Sequence, residues 1–221
     1  MKKLLLSLPI ILVLGVFTMG FTTKDEKAEQ LIQASKAKFE SLKDISANFK
    51  FAINNPRIST QPKPKEGWMR YKKGKGQFVF AFADQEIYCD GATQWIFLPE
   101  EGEFGEVTIT HYDPELGENA EAIFKIYEGS AQPELKGEEN IHGVNCYKIF
   151  LNINNDEADY NQAYVWINKS SKMLEKVDLI DRKKTTTTYE LLNIKVDQGL
   201  GDKDFQFDKS KHPGVEVFDE R

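Results

Sequence analysis

The pattern of apolar and polar residues near the N-terminus predicts an exported protein. Lys2-Lys3 precedes an apolar run from Leu4 to Phe17, which is typical of a signal peptide. A run of this length falls short of the roughly 20 residues that span a bilayer. We expect cleavage near Gly20 to Thr22, and therefore a signal peptide at residues 1–20 and one domain, in the periplasm, at residues 21–221.

The next segment, Lys24 to Lys43, repeats its apolar positions at steps of three and four residues. This spacing predicts one amphipathic helix with a single apolar stripe. The stripe consists of Ala28, Leu31, Ile32, Ser35, Phe39 and Leu42.

Beyond the helix the period changes to two, which predicts short strands. Glycines in Lys73 to Gly76 and in Asp90-Gly91 indicate tight hairpin turns, so neighbouring strands should pair antiparallel. A short helix is predicted at Asn119 to Tyr127. The ten predicted strands are Phe49–Ile53, Gly67–Lys72, Gln77–Ala83, Gln85–Cys89, Gln94–Leu98, Val107–Thr110, Val144–Ile153, Ala163–Ile167, Met173–Asp181 and Thr186–Val196.

The predicted fold class is mainly β (α+β). A continuous sheet of about ten strands is expected to curl rather than lie flat. The two helical segments are too few to cover both of its faces. We therefore expect a half-barrel with an apolar inner face partly covered by the N-terminal helix.

Several strands carry more aromatic side chains than one buried face requires. Aromatic residues make up 12% of the chain, with 15 phenylalanines. The apolar side chains can fill an ordinary core or line a ligand cavity; composition favours the core and does not separate the two. The candidate lining residues are Phe49, Phe51, Trp68, Phe78, Phe80, Phe82, Trp95, Phe97 and Ile123.

Net charge and cysteine content bear on which partners and which kind of membrane attachment are compatible with the chain. The formal net charge of −6 argues against a nucleic-acid partner, because phosphate binding needs a basic surface. The two cysteines, Cys89 and Cys146, would reside in an oxidising compartment, which permits a disulfide without requiring one. No cysteine follows the apolar run directly, as a lipid anchor would need, so we expect a freely diffusing protein rather than a lipid-anchored one.

Sequence motifs of catalysis and metal binding are not found. His111, His142 and His212 stand apart from any triad or metal-ligand pattern, and there is no GxSxG, P-loop or GxGxxG motif. Acidic residues cluster in turns, as solvated loop charges do. We expect no enzyme activity, no cofactor and no metal.

Three segments resemble the LolA family of periplasmic carriers of outer-membrane lipoproteins. Ser41 to Phe49 has the family's helix end and first strand, and Cys89 to Pro99 has its aspartate-glycine hairpin followed by an aromatic strand and proline. Phe205 to Asp219 is similar to its closing segment. The three occur in the family's order along nearly the whole mature chain.

The resemblance implies an unclosed antiparallel barrel whose helices form a lid over an apolar cavity. Such a carrier binds the acyl chains of lipoproteins. It receives them from an inner-membrane lipoprotein-releasing transporter and delivers them to the outer membrane, with or without a dedicated outer-membrane acceptor. We expect it to act as a monomer.

In the family, an arginine that precedes a proline closes the lid. This pair is missing here, and Lys73 aligns best, with Arg70 as a displaced candidate. Lysine lacks the planar donor fork of arginine. The alternative is that both residues belong to a solvated basic hairpin.

Two other functions remain compatible with the sequence. One is a periplasmic module that senses lipids or lipoproteins and regulates a membrane-anchored partner. The other is a carrier of a different amphiphile, such as a glycolipid.

Overall fold

The computed structural model describes residues 24–99, 101–113, 133–153 and 159–221. The predicted signal peptide lies outside the described residues. So does the predicted internal helix at Asn119 to Tyr127, together with Ile123.

The predicted N-terminal helix is confirmed as α1, Lys24–Ser41. Asp25 and Glu26 lie in its first turn and Lys38 in its last, where their charges complement the helix dipole. Ala28, Leu31, Ile32 and Ser35 are buried. These residues belong to the predicted apolar stripe, so α1 packs against the sheet along that stripe.

The strands form one 12-stranded sheet in the order β12-β6-β5-β4-β3-β2-β1-β11-β10-β9-β8-β7. All pairings are antiparallel except that of β12 with β6. Strands β12 and β7 are the two edges, so the sheet is unclosed. The strands are β1 Asp44–Asn54, β2 Lys65–Lys72, β3 Gln77–Phe82, β4 Glu86–Cys89, β5 Thr93–Leu98, β6 Glu106–His111, β7 Pro133–Ile141, β8 Val144–Asn152, β9 Tyr160–Asn168, β10 Leu174–Asp181, β11 Thr186–Val196 and β12 Glu216–Asp219.

The ten predicted strands are all present, and the count of ten is wrong by two. The missed strands are β7 and β12, the two edges of the sheet. Most of β7 is polar and exposed, with a register shift between Leu135 and Gly137, and all four residues of β12 are exposed. Neither strand shows the buried alternation by which a strand is recognised from sequence.

The main core lies between α1 and the face of the sheet that α1 covers, here called the inner face. Ile45 and Phe49 of β1, Ile149 of β8, Val165 of β9 and Leu191 of β11 are buried there. Sequence-distant strands thus share one core.

The opposite, outer face of β2 to β6 is covered by the C-terminal segment, residues 197–221. The segment is fastened where it leaves β11. The buried carboxylate of Asp44 accepts hydrogen bonds from the backbone N–H groups of Gln198, Gly199 and Leu200 at 2.7, 2.9 and 3.2 Å. Further along, Val215 packs with Phe97 and Val107 in a second apolar cluster.

Candidate functional site

Five predicted phenylalanines meet on the inner face and form a surface that we call the aromatic floor. It consists of Phe49, Phe51, Phe78, Phe80 and Phe82. The ring of Phe49 lies 5.0 Å from that of Phe82 and 6.2 Å from that of Phe80, in edge contacts. Phe78 lies 5.8 Å from Phe80. These spacings are in the range of favourable aromatic pairs.

Strand register explains why these rings meet. Gly67 of β2 pairs with Phe49 on one side and with Phe82 on the other. A Cβ atom on Gly67 would lie 2.7 Å from Cζ of Phe49 and 2.2 Å from the carbonyl oxygen of Ala81. The missing side chain therefore leaves the space in which the Phe49 ring lies over β2.

Two tyrosines extend the aromatic floor and were missed in the sequence. Tyr189 of β11 lies 5.2 Å from Phe51, and Tyr112 lies 5.5 Å from Phe78, measured between ring centroids. The alternation around Tyr189 was visible, but only the pairing of β11 with β1 shows that this side chain lies beside Phe51.

The aromatic floor is sealed at one side and partly open at the other. Phe49 and Phe78 are buried, whereas Phe51, Phe80 and Phe82 are only partly buried. Next to Phe78 in the register, Tyr71 stacks on Phe39 of α1 at 5.8 Å. Helix α1 thus covers the floor at Phe78. The partly exposed rings of Phe51, Phe80 and Phe82 leave apolar surface available for contact with a ligand.

The other three described candidates, Trp68, Trp95 and Phe97, lie on the outer face. Trp68 is directly between Gly67 and Met69, whose positions face inward, and Phe97 packs with Val107 and Val215 under the C-terminal segment. Trp95 packs against the same cluster. The structure therefore does not bring these three residues to the aromatic floor.

The two cysteines, between which the sequence permitted but did not require a disulfide, are free in the structure. Cys89 is on β4 and Cys146 on β8, and six strands of the sheet lie between them. Both thiols are fully buried. Burial raises the pKa of Cys89 to about 11 and that of Cys146 to about 12.

Of the two lid-latch candidates, Lys73 contacts the helix. Its Nζ donates a hydrogen bond to the carbonyl oxygen of Glu40 in the last turn of α1, and its backbone N–H donates to Lys43 at 3.0 Å. Arg70 lies on the outer face instead, over the Trp68 ring at 5.0 Å and 3.7 Å from the carboxylate of Asp204. The structure brings Lys73, and not Arg70, to α1.

Two cavities on the outer face border Trp68 and Arg70. One, of about 630 Å³, also contacts Asn48, Asn193 and Lys195, and the other, of about 200 Å³, lies under the C-terminal segment. Their linings mix polar and charged side chains with apolar ones, unlike the aromatic floor. The β11 irregularity at Asn193, which sets one lining residue at a φ of 54°, was not predictable from the strand pattern.

The aromatic floor offers apolar contact rather than reactive groups. Burial raises the pKa of the neighbouring Cys89 thiol, which therefore stays protonated. The one cation that the described residues place over a ring of the floor is Lys65, whose Nζ lies 5.8 Å from the centre of the Phe82 ring. Within the described ranges, no group of three or more His, Cys, Asp or Glu side chains could hold a metal ion. The arrangement suits an apolar ligand such as a hydrocarbon chain.

Solved structures of low sequence identity share this fold. LprF from Mycobacterium bovis is 14% identical, with a TM-score of 0.55 over 79% of this chain and 95% of its own. An uncharacterized conserved protein from Thermus thermophilus is 10% identical, with a TM-score of 0.55 over 88% of this chain and 99% of its own. The lipoprotein LppX from Mycobacterium tuberculosis is 14% identical, with a TM-score of 0.50 over 80% and 98%. At these identities the likeness shows the fold.

No curated protein matches the sequence. None of the helices in the described part of the chain is long and apolar enough to cross a membrane. The model of one family, described as the outer membrane lipoprotein carrier protein LolA, matches residues 40–208, which include β1, the aromatic floor and Lys73. The chain therefore belongs to the LolA family of outer membrane lipoprotein carrier proteins.

Proposed function

We propose that this protein is a periplasmic carrier that holds the acyl chains of lipoproteins against the aromatic floor and shuttles them from the inner to the outer membrane. The observation that supports this most directly is the set of partly buried rings of Phe51, Phe80 and Phe82. They continue a buried apolar core out to a surface that a chain can reach. Family membership supports the same ligand class.

Binding of an acyl chain in this way is favourable without requiring a tight, specific complex. Each methylene moved from water into an apolar site contributes about 0.8 kcal/mol. The floor would contact its ligand through phenyl rings, so no hydrogen bond would have to be broken for release. A carrier needs this combination, because it must keep a lipid soluble in transit and then give it up.

In this proposal residues 21–221 act as one exported domain, without enzyme activity and without a cofactor. Its partners are acylated lipoproteins, an inner-membrane transporter that loads it, and an outer-membrane acceptor. Helix α1 acts as the lid, and Lys73 holds the C-terminal end of α1 to the β2–β3 turn.

The experiment is mass spectrometry of the protein purified from its own periplasm. Native spectra followed by organic extraction should reveal a bound acylated molecule, and its mass identifies the class. A lipoprotein or its acyl chains would support the carrier proposal. A bound glycolipid would mean that the protein carries a different amphiphile. The proposal would be contradicted if no lipid were bound to protein purified from a strain that makes lipoproteins normally.

A further inference from the structure

Strand β12 leaves one edge of the sheet unpaired in the described structure. On the side of β6, the N–H of Glu216 donates to the carbonyl of Gly105 at 3.0 Å, and the N–H of Glu220 donates to Ile109 at 2.9 Å. Peptide groups of successive residues in a strand point to opposite sides. The N–H and C=O groups of Val217 and Asp219 therefore point away from β6, where a further strand would pair.

Apolar side chains are exposed at the same edge. Phe104 is 54% exposed, Phe218 45% and Val217 40%, and they are three of the four large hydrophobic residues that the described structure exposes. Phe104 belongs here because its ring lies over Gly214, just before β12, where a Cβ atom would be 2.7 Å away. Apolar surface concentrated at an unpaired strand is typical of a binding surface.

The charges around this edge are mostly negative. The carboxylates of Glu106 and Glu216 converge on Gly102, where a Cβ atom would lie 3.5 and 3.8 Å from them. In residues 213–221 the single basic side chain is Arg221, which pairs with Asp219 at 2.7 Å. The acidic residues of β12, of the position after it, of the loop before β6 and of the start of β6 are Glu101, Glu103, Glu106, Glu216, Asp219 and Glu220.

We propose that the outer edge of β12 binds an extended basic segment of a partner protein, which adds to the sheet as a further antiparallel strand. Such a segment would carry Lys or Arg opposite Glu216 and Asp219, and apolar residues opposite Val217 and Phe218. Backbone pairing provides affinity in this mode and side chains provide selectivity. The surface lies outside the aromatic floor, so it is independent of cargo binding.

The charge pattern argues against a second copy of this chain as the occupant. Antiparallel pairing of β12 with itself through its outward groups, with Phe218 opposite Phe218, would place Glu216 opposite Glu220 at both ends. Like charges directly opposite destabilise a strand pair. The same pattern attracts a strand of the type Lys-apolar-apolar-Lys.

The test uses the full-length mature protein and two fluorescein-labelled peptides, Thr-Lys-Val-Ile-Lys-Thr and its acidic counterpart with Glu in place of both Lys. Binding is measured by fluorescence anisotropy. Val217→Pro removes an outward N–H without touching the hydrogen bonds to β6, and the matched control Val217→Ala keeps that N–H. We expect the basic peptide to bind roughly tenfold more weakly to Val217→Pro than to Val217→Ala.

A second pair of measurements keeps the proposal testable if the proline variant is poorly folded by circular dichroism. Glu216→Lys together with Asp219→Lys should reverse the preference, so that the acidic peptide binds better than the basic one. Equal binding of both peptides to the wild-type protein would overturn the proposal. So would a dimer, by light scattering, that Val217→Pro abolishes, since it would make a second copy the occupant.

Discussion

At the scale of single residues, the packing of the aromatic floor depends most on Gly67. It is flanked in the sheet by Phe49 and Phe82, and the Phe49 ring occupies the space that a side chain on Gly67 would need. The carbonyl oxygen of Ala81 would be closer still, at 2.2 Å from such a Cβ atom, and a backbone atom of a paired strand cannot shift without disturbing the sheet. A small residue here is a requirement of packing rather than of backbone conformation.

Gly67→Ala should lower the free energy of unfolding by about 1–3 kcal/mol, since overpacking forces the ring and the strand to shift. Urea denaturation measures this change. The matched control is Gly201→Ala, where the backbone φ of −86° suits any residue and the nearest atom to a Cβ is 3.7 Å away. Equal stability changes in the two variants would contradict the packing described for Phe49.

Cys89 and Cys146 should both react as thiols once the protein unfolds. Denatured without reductant, the protein should gain two carbamidomethyl groups, as a reduced sample does, whereas a disulfide would leave it unlabelled. In the native state at pH 8 labelling should be slow, because burial raises the pKa of the Cys89 thiol to about 11 and keeps the thiolate scarce.

The same burial gives stability a pH dependence. An unfolded thiol loses its proton near pH 8.5, whereas the folded Cys89 keeps it up to about 11. The folded state then binds more protons, so this contribution is complete below pH 8.5 and is lost progressively as the pH rises toward 11. Denaturation midpoints of wild type and Cys89→Ala should converge in that range.

At single positions, the sequence predicted correctly which residues of a strand share a face, but not which face of the sheet, inner or outer, they occupy. Trp95 and Phe97 do share a face of β5, opposite Ile96. Which face that is depends on the registers of β3 with β4 and of β4 with β5, where Cys89 pairs with both Phe78 and Gln94. These pairings place Gln94, and not Trp95, on the side of Phe78.

Among the elements, α1 is the one whose position decides access to the floor. It is attached at its C-terminal end by the Phe39–Tyr71 stack and by the bond from Lys73 to Glu40. At its other end, Lys27 lies over the ring of Tyr147 at 5.0 Å. These contacts attach the helix to β2 and to β8 near its two ends, in addition to the buried stripe by which it packs against the sheet.

Lys73→Ala should loosen the last turn of α1, because Lys73 donates to its terminal carbonyl. Hydrogen–deuterium exchange in residues 38–43 should become roughly threefold to tenfold faster. Lys63→Ala, in the exposed connection between β1 and β2, serves as the control. Unchanged exchange in Lys73→Ala would mean that Lys73 does not hold α1 and is a solvated lysine of the hairpin.

Elements were predictable where burial imposed a period. Helix α1 buries helically spaced residues, and each of the ten inner strands contains buried residues, as in β1, where Ile45, Ala47 and Phe49 alternate into the core. The edges were not predictable for the same reason. Strand β12 has no buried residue, and it exists through its parallel pairing with β6, a long-range contact that no local pattern encodes.

For the whole molecule, the apolar residues are divided between two separate layers. The inner layer joins α1 to the aromatic floor, and the outer layer lies beneath the C-terminal segment. Sequence composition showed the surplus of aromatic residues but could not divide it between these layers. The division matters because a ligand on the inner face should be insensitive to changes on the outer face.

The most direct test of the carrier account is uptake of a dansyl-labelled fatty acid by delipidated protein. Phe80→Asp puts a charge on the floor, and Trp95→Asp puts the same charge in place of a partly buried ring of the outer face. With both variants folded by circular dichroism, we expect saturable binding to the wild type and to Trp95→Asp, and binding at least roughly tenfold weaker to Phe80→Asp, since burying a charge is costly. Wild-type affinity in Phe80→Asp, or no uptake by the wild type, would contradict the account.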